Sequence, residues 1–231
     1  MLRMPSGCFE QTSSTTYPNV LILDYLQRTR RLTPAIKARA RRLINLGYQR
    51  LISFEVKGGG FSWFGNAPAN KILTAYGLME FHDMARVSRV DPRLIQRTQA
   101  WLASSQRKDG SWKADGHFIN EGATNRFNND RLRITAYVAH ALERTGYTGK
   151  ALSRARGYLR RHAAKAQDSY TLALLGNLRA DGANGPLGAA IVFLIAGPAT
   201  NVATLTVFTR ALGKRVVAVY LGTIVVVSLA F

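Results

Sequence analysis

A thiol and a primary amide stand three positions apart near the start of this chain, in Pro5-Ser6-Gly7-Cys8-Phe9-Glu10-Gln11-Thr12. Cys8 is the single cysteine among 231 residues. One chemistry open to the pair is attack of the Cys8 thiol on the Gln11 amide with loss of ammonia. That closes a small ring through an internal thioester and stores an activated acyl group at Gln11 for a later nucleophile. Two intervening residues let the side chains meet without stretching the backbone. The competing reading is a small buried hydrophobe, since free cysteine is among the most buried residue types. Glu10 reads as a helix-start carboxylate favoured by the dipole.

The elements that must position this pair are helical. Thr12 to Thr16 is a run of hydroxyls suited to a helix start, and Pro18 suits a first turn. Val20 to Leu26 reads as a helix apolar on several sides and deeply packed. Thr33-Pro34 is an N-cap with proline at the first helical position. It opens a helix with Ile36, Ala40, Leu43, Ile44, Leu46, Gly47, Leu51 and Phe54 at core spacing and arginines opposite. Further helices are expected over 69–87, 93–106, 131–145, 149–164 and 168–179. Gly58-Gly59-Gly60-Phe61-Ser62-Trp63-Phe64-Gly65 matches no phosphate-loop spacing and is favoured as an aromatic-anchored turn. Lys108-Asp109-Gly110-Ser111-Trp112 echoes it. The unit is a pair of helices followed by a turn with glycine and an aromatic, as stacked helical hairpins produce. No strand-period run is apparent over 1–184.

Composition narrows the classes. Thirty-two basic against 13 acidic side chains give a formal charge of +19. Such an excess fits nucleic acid, a membrane surface or acidic partners. No zinc-finger spacing, RNP1-like run or KH-type GxxG setting accompanies it, so no nucleic-acid partner is expected. Most bases fall on helix-like segments such as Arg28 to Arg50, where a solvated face is favoured. One cysteine makes no internal disulfide. Met1-Leu2-Arg3-Met4 lacks an apolar signal-peptide core, so no signal peptide is expected in this chain. No metal-ligand cluster is apparent, and His82, His140 and His162 lie on helices at unrelated spacings. No cofactor is expected.

Gly7-Cys8-Phe9-Glu10-Gln11, Pro18-Asn19-Val20, Leu23-Asp24-Tyr25-Leu26, Leu32-Thr33-Pro34 and Gly47-Tyr48-Gln49-Arg50 together resemble a known family. The match runs on through Phe61 to Gly65, Leu73-Thr74-Ala75, Trp101-Leu102, Gln106 to Gly110 and Thr135 to Val138. The chain is similar over roughly residues 3–180 to the thioester-containing domain of the alpha-2-macroglobulin and complement family, of bacterial type. The resemblance implies an all-α fold, an α/α toroid of helical hairpins. It implies Cys8 as the thioester thiol and Gln11 as the acyl donor. Phe9 stands where the family often has glycine, and is expected to help keep water off the bond. A second functional position, about ten residues beyond the Asp-Gly turn by the family pattern, lands on Asn120. Histidine there relays the acyl group to hydroxyls by nucleophilic catalysis; asparagine implies reaction with lysine amines. His117 is the weaker alternative for that position, with an exposed loop histidine as the competing reading. The implied function is a stoichiometric endopeptidase inhibitor, not an enzyme. Its partners would be target proteases and the macroglobulin-like domains of the parent protein. The parent family's setting is periplasmic, cell-envelope or extracellular.

Composition changes near Gly185. Residues 185–231 hold no acid and three bases, Arg210, Lys214 and Arg215. Pro186 to Thr209 is a run of 24 uncharged residues, long enough to span a bilayer. Ala196 to Thr204 with Leu212-Gly213 resembles a bacterial predicted permease. The expected organisation is a truncated toroid domain over 1–181, a junction at 182–185 and a hydrophobic, transmembrane-like helical segment over 186–231 with membrane association. An alternative function is an α/α-toroid enzyme related to terpene cyclases and prenyltransferases, from Gln106-x-x-Asp109-Gly110-Ser111-Trp112. A further alternative is a fragment of a permease.

Overall fold

The computed structural model describes residues 2–115, 130–166 and 168–180. Seven α-helices lie among them: α1 Phe9–Arg28, α2 Pro34–Ile52, α3 Lys71–Met84, α4 Pro92–Ser104, α5 Arg131–Arg144, α6 Lys150–His162 and α7 Ser169–Ala180. The only β pairing among the described residues is an isolated bridge between Glu55 and Phe61. Two compact units divide the chain, residues 1–160 and 161–231. The first holds α1 to α5 and most of α6. The second begins in the last turn of α6 and continues through a 3-10 turn, Ala163–Lys165, and α7. In α7 the first turn is tied by Asp168, which accepts the Thr171 N–H at 2.9 Å.

Side chains that compete for backbone in open chain cap the helix starts here. Thr33 accepts the Ile36 N–H at 3.3 Å, with Pro34 at the first position as its spacing predicts. Asn70 caps α3 through the N–H groups of Ile72 and Leu73, Asp91 caps α4, and Asp130 caps α5.

In the first unit the helices form hairpins arranged in the manner of an α/α toroid. α1 and α2 return on each other, and they approach closely where Gly47 faces Thr16; a Cβ on Gly47 would fall 2.5 Å from Thr16 Cγ2. α3 packs on both α1 and α5, while α4 packs outside α3. Three successive pairs show that α1 and α3 run the same way: Phe9 against Gly77, Ser13 against Glu80 and Tyr17 against Asp83. So α1, α3 and α5 are inner helices, and α2 and α4 back α1 and α3.

Equivalent turns lock one hairpin to the next. In the first, the Phe61 N–H donates to Thr74 Oγ1 at 2.9 Å and the ring is fully buried. In the second, the Trp112 N–H donates to Thr135 Oγ1 at 3.1 Å, and its indole N–H reaches the Leu102 carbonyl at 2.7 Å. Thr74-Ala75-Tyr76 and Thr135-Ala136-Tyr137 are therefore one structural position in two repeats. Each turn also rests on a later helix. Gly59, with φ +106°, lies beside the Arg97 carbonyl of α4, and Gly110, with φ +91°, beside the Arg154 carbonyl of α6. The aromatic anchor expected for these turns is what the structure shows.

Two local expectations are corrected. α1 starts at Phe9, and Pro18 lies inside it rather than in a first turn. Two of the hydroxyls meant to start a helix, Ser14 and Thr15, instead bond carbonyls one turn back; Ser14 Oγ donates to the Gln11 carbonyl at 2.8 Å. Tertiary ties hold the helix across Pro18: Tyr17 is bonded to Asp83, and Asn19 exchanges two hydrogen bonds with the Arg3 backbone. Ile36 and Leu46 are surface residues, 37% and 41% exposed, because only Ala40, Leu43, Ile44, Gly47 and Leu51 of α2 face inward. The Phe9 ring, expected beside the bond, faces the core rather than solvent. It is fully buried against Phe54 and Phe61, at centroid distances of 6.2 and 5.4 Å.

Among the described residues no helix is long and apolar enough to cross a membrane. The hydrophobic segment expected over 186–231 lies outside them.

Candidate functional site

Cys8 is the N-cap of α1 and Gln11 its N3 residue, the two ends of a capping box. Gln11 Oε1 accepts the Cys8 N–H at 3.2 Å, and the Cys8 sulfur faces the Gln11 N–H. The Cys-x-x-Gln spacing is thus the spacing at which a helix start folds one side chain back onto the other. Cys8 is half-buried and Gln11 exposed. The pair lies at a helix N-terminus, where free N–H groups and the macrodipole favour negative charge.

Four neighbours fix this turn. Gly7 has φ +82°, and a Cβ there would overlap Gln11 Oε1 and come within 2.8 Å of its Cβ and Cδ. Only glycine leaves room for the amide. Arg50, from the end of α2, donates to the Gly7 carbonyl from Nε at 2.9 Å and from Nη2 at 2.6 Å. The Phe9 N–H donates to the Trp63 carbonyl at 2.9 Å, and the Trp63 indole N–H reaches Glu10 at 3.4 Å. Under the Phe9 ring lies Gly77 of α3, whose Cβ would fall 2.7 Å from Phe9 Cζ. Cys8 is therefore held between an anchored ring on one side and a clamped carbonyl on the other.

A family model described as the A-macroglobulin TED domain matches residues 1–178. The chain belongs to this family. Ovostatin of Gallus gallus is similar at 31% identity over 150 residues, which cover 64% of this chain and 10% of the relative. The chain thus spans about a tenth of the length of that curated relative.

One turn deeper, the TED-domain fold carries carboxylates between the inner helices. Glu80 of α3 is fully buried; Ser13 of α1 donates to its Oε2 at 2.6 Å, and its Oε1 meets no donor. Burial raises its pKa to about 8, with the Ser13 bond pulling the other way. Asp83 accepts from Tyr17 of α1 at 2.5 Å and from Arg144 of α5 at 2.6 Å, joining three inner helices at one carboxylate. Desolvation first, and the Asp83 bond second, push the Tyr17 phenol well above its ordinary value. Tyr76 is pushed up to about 12, by burial and then by Glu80 and Glu10.

Asn120 and His117 lie outside the described residues. Their flanks are placed. Asp115 accepts the Lys71 N–H at 2.6 Å and pairs with its ammonium at the start of α3. Asp130 caps the start of α5. Both attach to N-terminal ends of inner helices, the end of the ring at which α1 begins with Cys8. His82, His140 and His162 lie on α3, α5 and α6. Among the described residues no group of three or more His, Cys, Asp or Glu side chains could hold a metal ion.

The spacing of Cys8 and Gln11 stands out in the sequence, but the contacts that hold their turn do not. Gly7 directly before the N-cap signals a positive φ, which could have marked the close approach of the Gln11 amide. Nothing in the sequence marks Arg50 apart from its neighbouring arginines; only folding brings it to Gly7.

Proposed function

We propose that residues 1–181 are the covalent trapping module of an alpha-2-macroglobulin-like endopeptidase inhibitor. Residues 182–185 form the junction to a separate hydrophobic segment over 186–231. The observation that carries this reading is the facing of Cys8 and Gln11 across the first turn of α1, in a chain of the TED family. Attack of Cys8 Sγ on Gln11 Cδ forms the S–C bond, breaks the C–N bond and expels ammonia. A lysine amine of a target then attacks the same carbon. The C–S bond breaks, the sulfur leaves at the helix N-terminus where developing negative charge is favoured, and an isopeptide-type amide remains at Gln11. The amine proton ends on the departing thiol. Each molecule acts once, so the module is an inhibitor component rather than an enzyme.

Asn120 is assigned as the reactivity modifier. With no imidazole to carry the acyl group to hydroxyls, direct attack by amines is the remaining route. Macroglobulin-like domains of the parent protein would shield and release the bond, and the setting is extracytoplasmic.

The test is labelling with a fluorescent primary amine followed by peptide mapping. Label at Gln11 that disappears in both Cys8→Ala and Gln11→Glu supports the reading. Label that persists in Cys8→Ala contradicts it. Asn120→His is expected to add reactivity toward glycerol.

A further inference from the structure

The corner where α1 turns into α2 carries a surface that the acyl-transfer chemistry does not use. Leu2, Leu21, Tyr25, Leu26, Ile36 and Arg39 line an open groove there. Leu21 is 50% exposed and Tyr25 58%. Scattered exposed apolar residues are ordinary, but a contiguous apolar groove marks an interaction site. The α1 residues of the groove, Leu21 to Leu26, lie about 20–27 Å from Cys8 along the helix.

Charge at the same corner is one-sided. Residues 25–42 contain seven bases and no Asp or Glu. Arg28 is engaged with Asp24 at 2.9 Å. Arg30, Arg31, Arg39, Arg41 and Arg42 are exposed, and Arg39 itself lines the groove. The nearest acid, Asp24, is already shared between Arg28 and Arg86. An apolar trough with a cationic border is complementary to a ligand with apolar anchors and a carboxylate border. Concavity separates the candidates. A bilayer is entered by protruding apolar side chains, whereas a trough takes side chains from a partner.

We propose that the α1–α2 corner is a docking groove for an acidic amphipathic helix of a protein partner. Apolar side chains one turn apart seat against Leu21, Tyr25 and Ile36, and carboxylates beside them meet Arg39 and the arginines of the α1–α2 connection. This site is independent of the Cys8–Gln11 chemistry.

The experiment titrates the full chain into a fluorescein-labelled synthetic helix with leucine at i, i+3, i+4 and i+7 and glutamate elsewhere, read by anisotropy. Saturable binding that weakens as salt is raised is the expected result, since exposed charges are screened. Tyr25→Ser with Ile36→Ser lowers affinity by at least roughly tenfold, the scale of losing one or two apolar contacts. Arg39→Glu lowers affinity and flattens the salt dependence. Leu46→Ser, an exposed apolar position of α2 outside the groove, leaves binding unchanged. The proposal is overturned if the acidic helix does not bind, if a version with lysine for glutamate binds equally, or if the groove variants have no effect. Capture by phosphatidylserine vesicles without binding of the acidic helix would also overturn it and assign the surface to a membrane.

Discussion

Both Nε and Nη2 of Arg50 donate to the Gly7 carbonyl oxygen, at 2.9 and 2.6 Å, so the last turn of α2 holds the residue before Cys8. The guanidinium carbon also stands 5.7 Å from the centroid of the Phe54 ring, which borders Phe9. One arginine therefore ties the peptide on the solvent side of the candidate thioester to the aromatic core beneath it. Arg50→Ala is expected to lower stability by about 1 kcal/mol, the scale of a charge-assisted but exposed hydrogen bond. It should also increase the fraction of Cys8 that reacts at once with a thiol reagent. Arg50→Lys, which loses the fork but keeps the charge, should fall between. Urea denaturation and thiol titration on the same preparations check both.

Gly7→Ala tests whether the turn before Cys8 needs an empty position. The added methyl combines a left-handed backbone with overlap onto the Gln11 amide. The backbone strain alone costs about 1–2 kcal/mol. Titratable Cys8 from the outset, with an unchanged helical circular dichroism spectrum, is the predicted outcome. Normal protection of Cys8 in this variant would show that the Gln11 amide does not need that space.

Phe9 and Gly77 form a ring and its seat. Phe9→Ala removes a fully buried ring from the cluster with Phe54 and Phe61, and should cost about 3–5 kcal/mol as a core cavity. Gly77→Val pushes on the same ring from α3. Both should lower the melting temperature, and both should raise amide exchange at the start of α1, measured by hydrogen–deuterium exchange mass spectrometry.

The helix caps and the aromatic turns were legible because their causes are local. Thr33-Pro34 announces a helix start, and Phe61 and Trp112 are large rings in glycine-containing turns. Resemblance supplied the toroid and the candidate pair. What could not be read depends on where distant segments meet. Pro18 looks like a helix start until Asn19 is tied to Arg3 and Tyr17 to Asp83. Ile36 and Leu46 have core spacing yet fall off the buried stripe of α2. Glu80 looks like any helix-surface glutamate in a sequence, and only the packing of α1 on α3 buries it.

Glu80 predicts a pH dependence of stability. Its native pKa, about 8, lies above the ordinary carboxylate value, so between those limits the native state holds a proton that the unfolded state has lost. Stability is greatest below the unfolded value and falls as pH rises through about 8, by at most about 1.4 kcal/mol per pH unit for one proton. Glu80→Gln, permanently neutral and still able to accept from Ser13, should flatten that dependence. Urea midpoints from pH 5 to 9 measure it, and an unchanged slope in Glu80→Gln would remove Glu80 as its source.

The bond between Cys8 and Gln11 is the central claim, and intact-mass measurement of freshly prepared protein tests it most directly. The account predicts a mass lower by about 17 Da, the ammonia lost when the thiol displaces the amide nitrogen, restored and exceeded on methylamine treatment as one thiol becomes titratable. A full-length mass with no deficit, a thiol titratable from the start and no change with methylamine would contradict it.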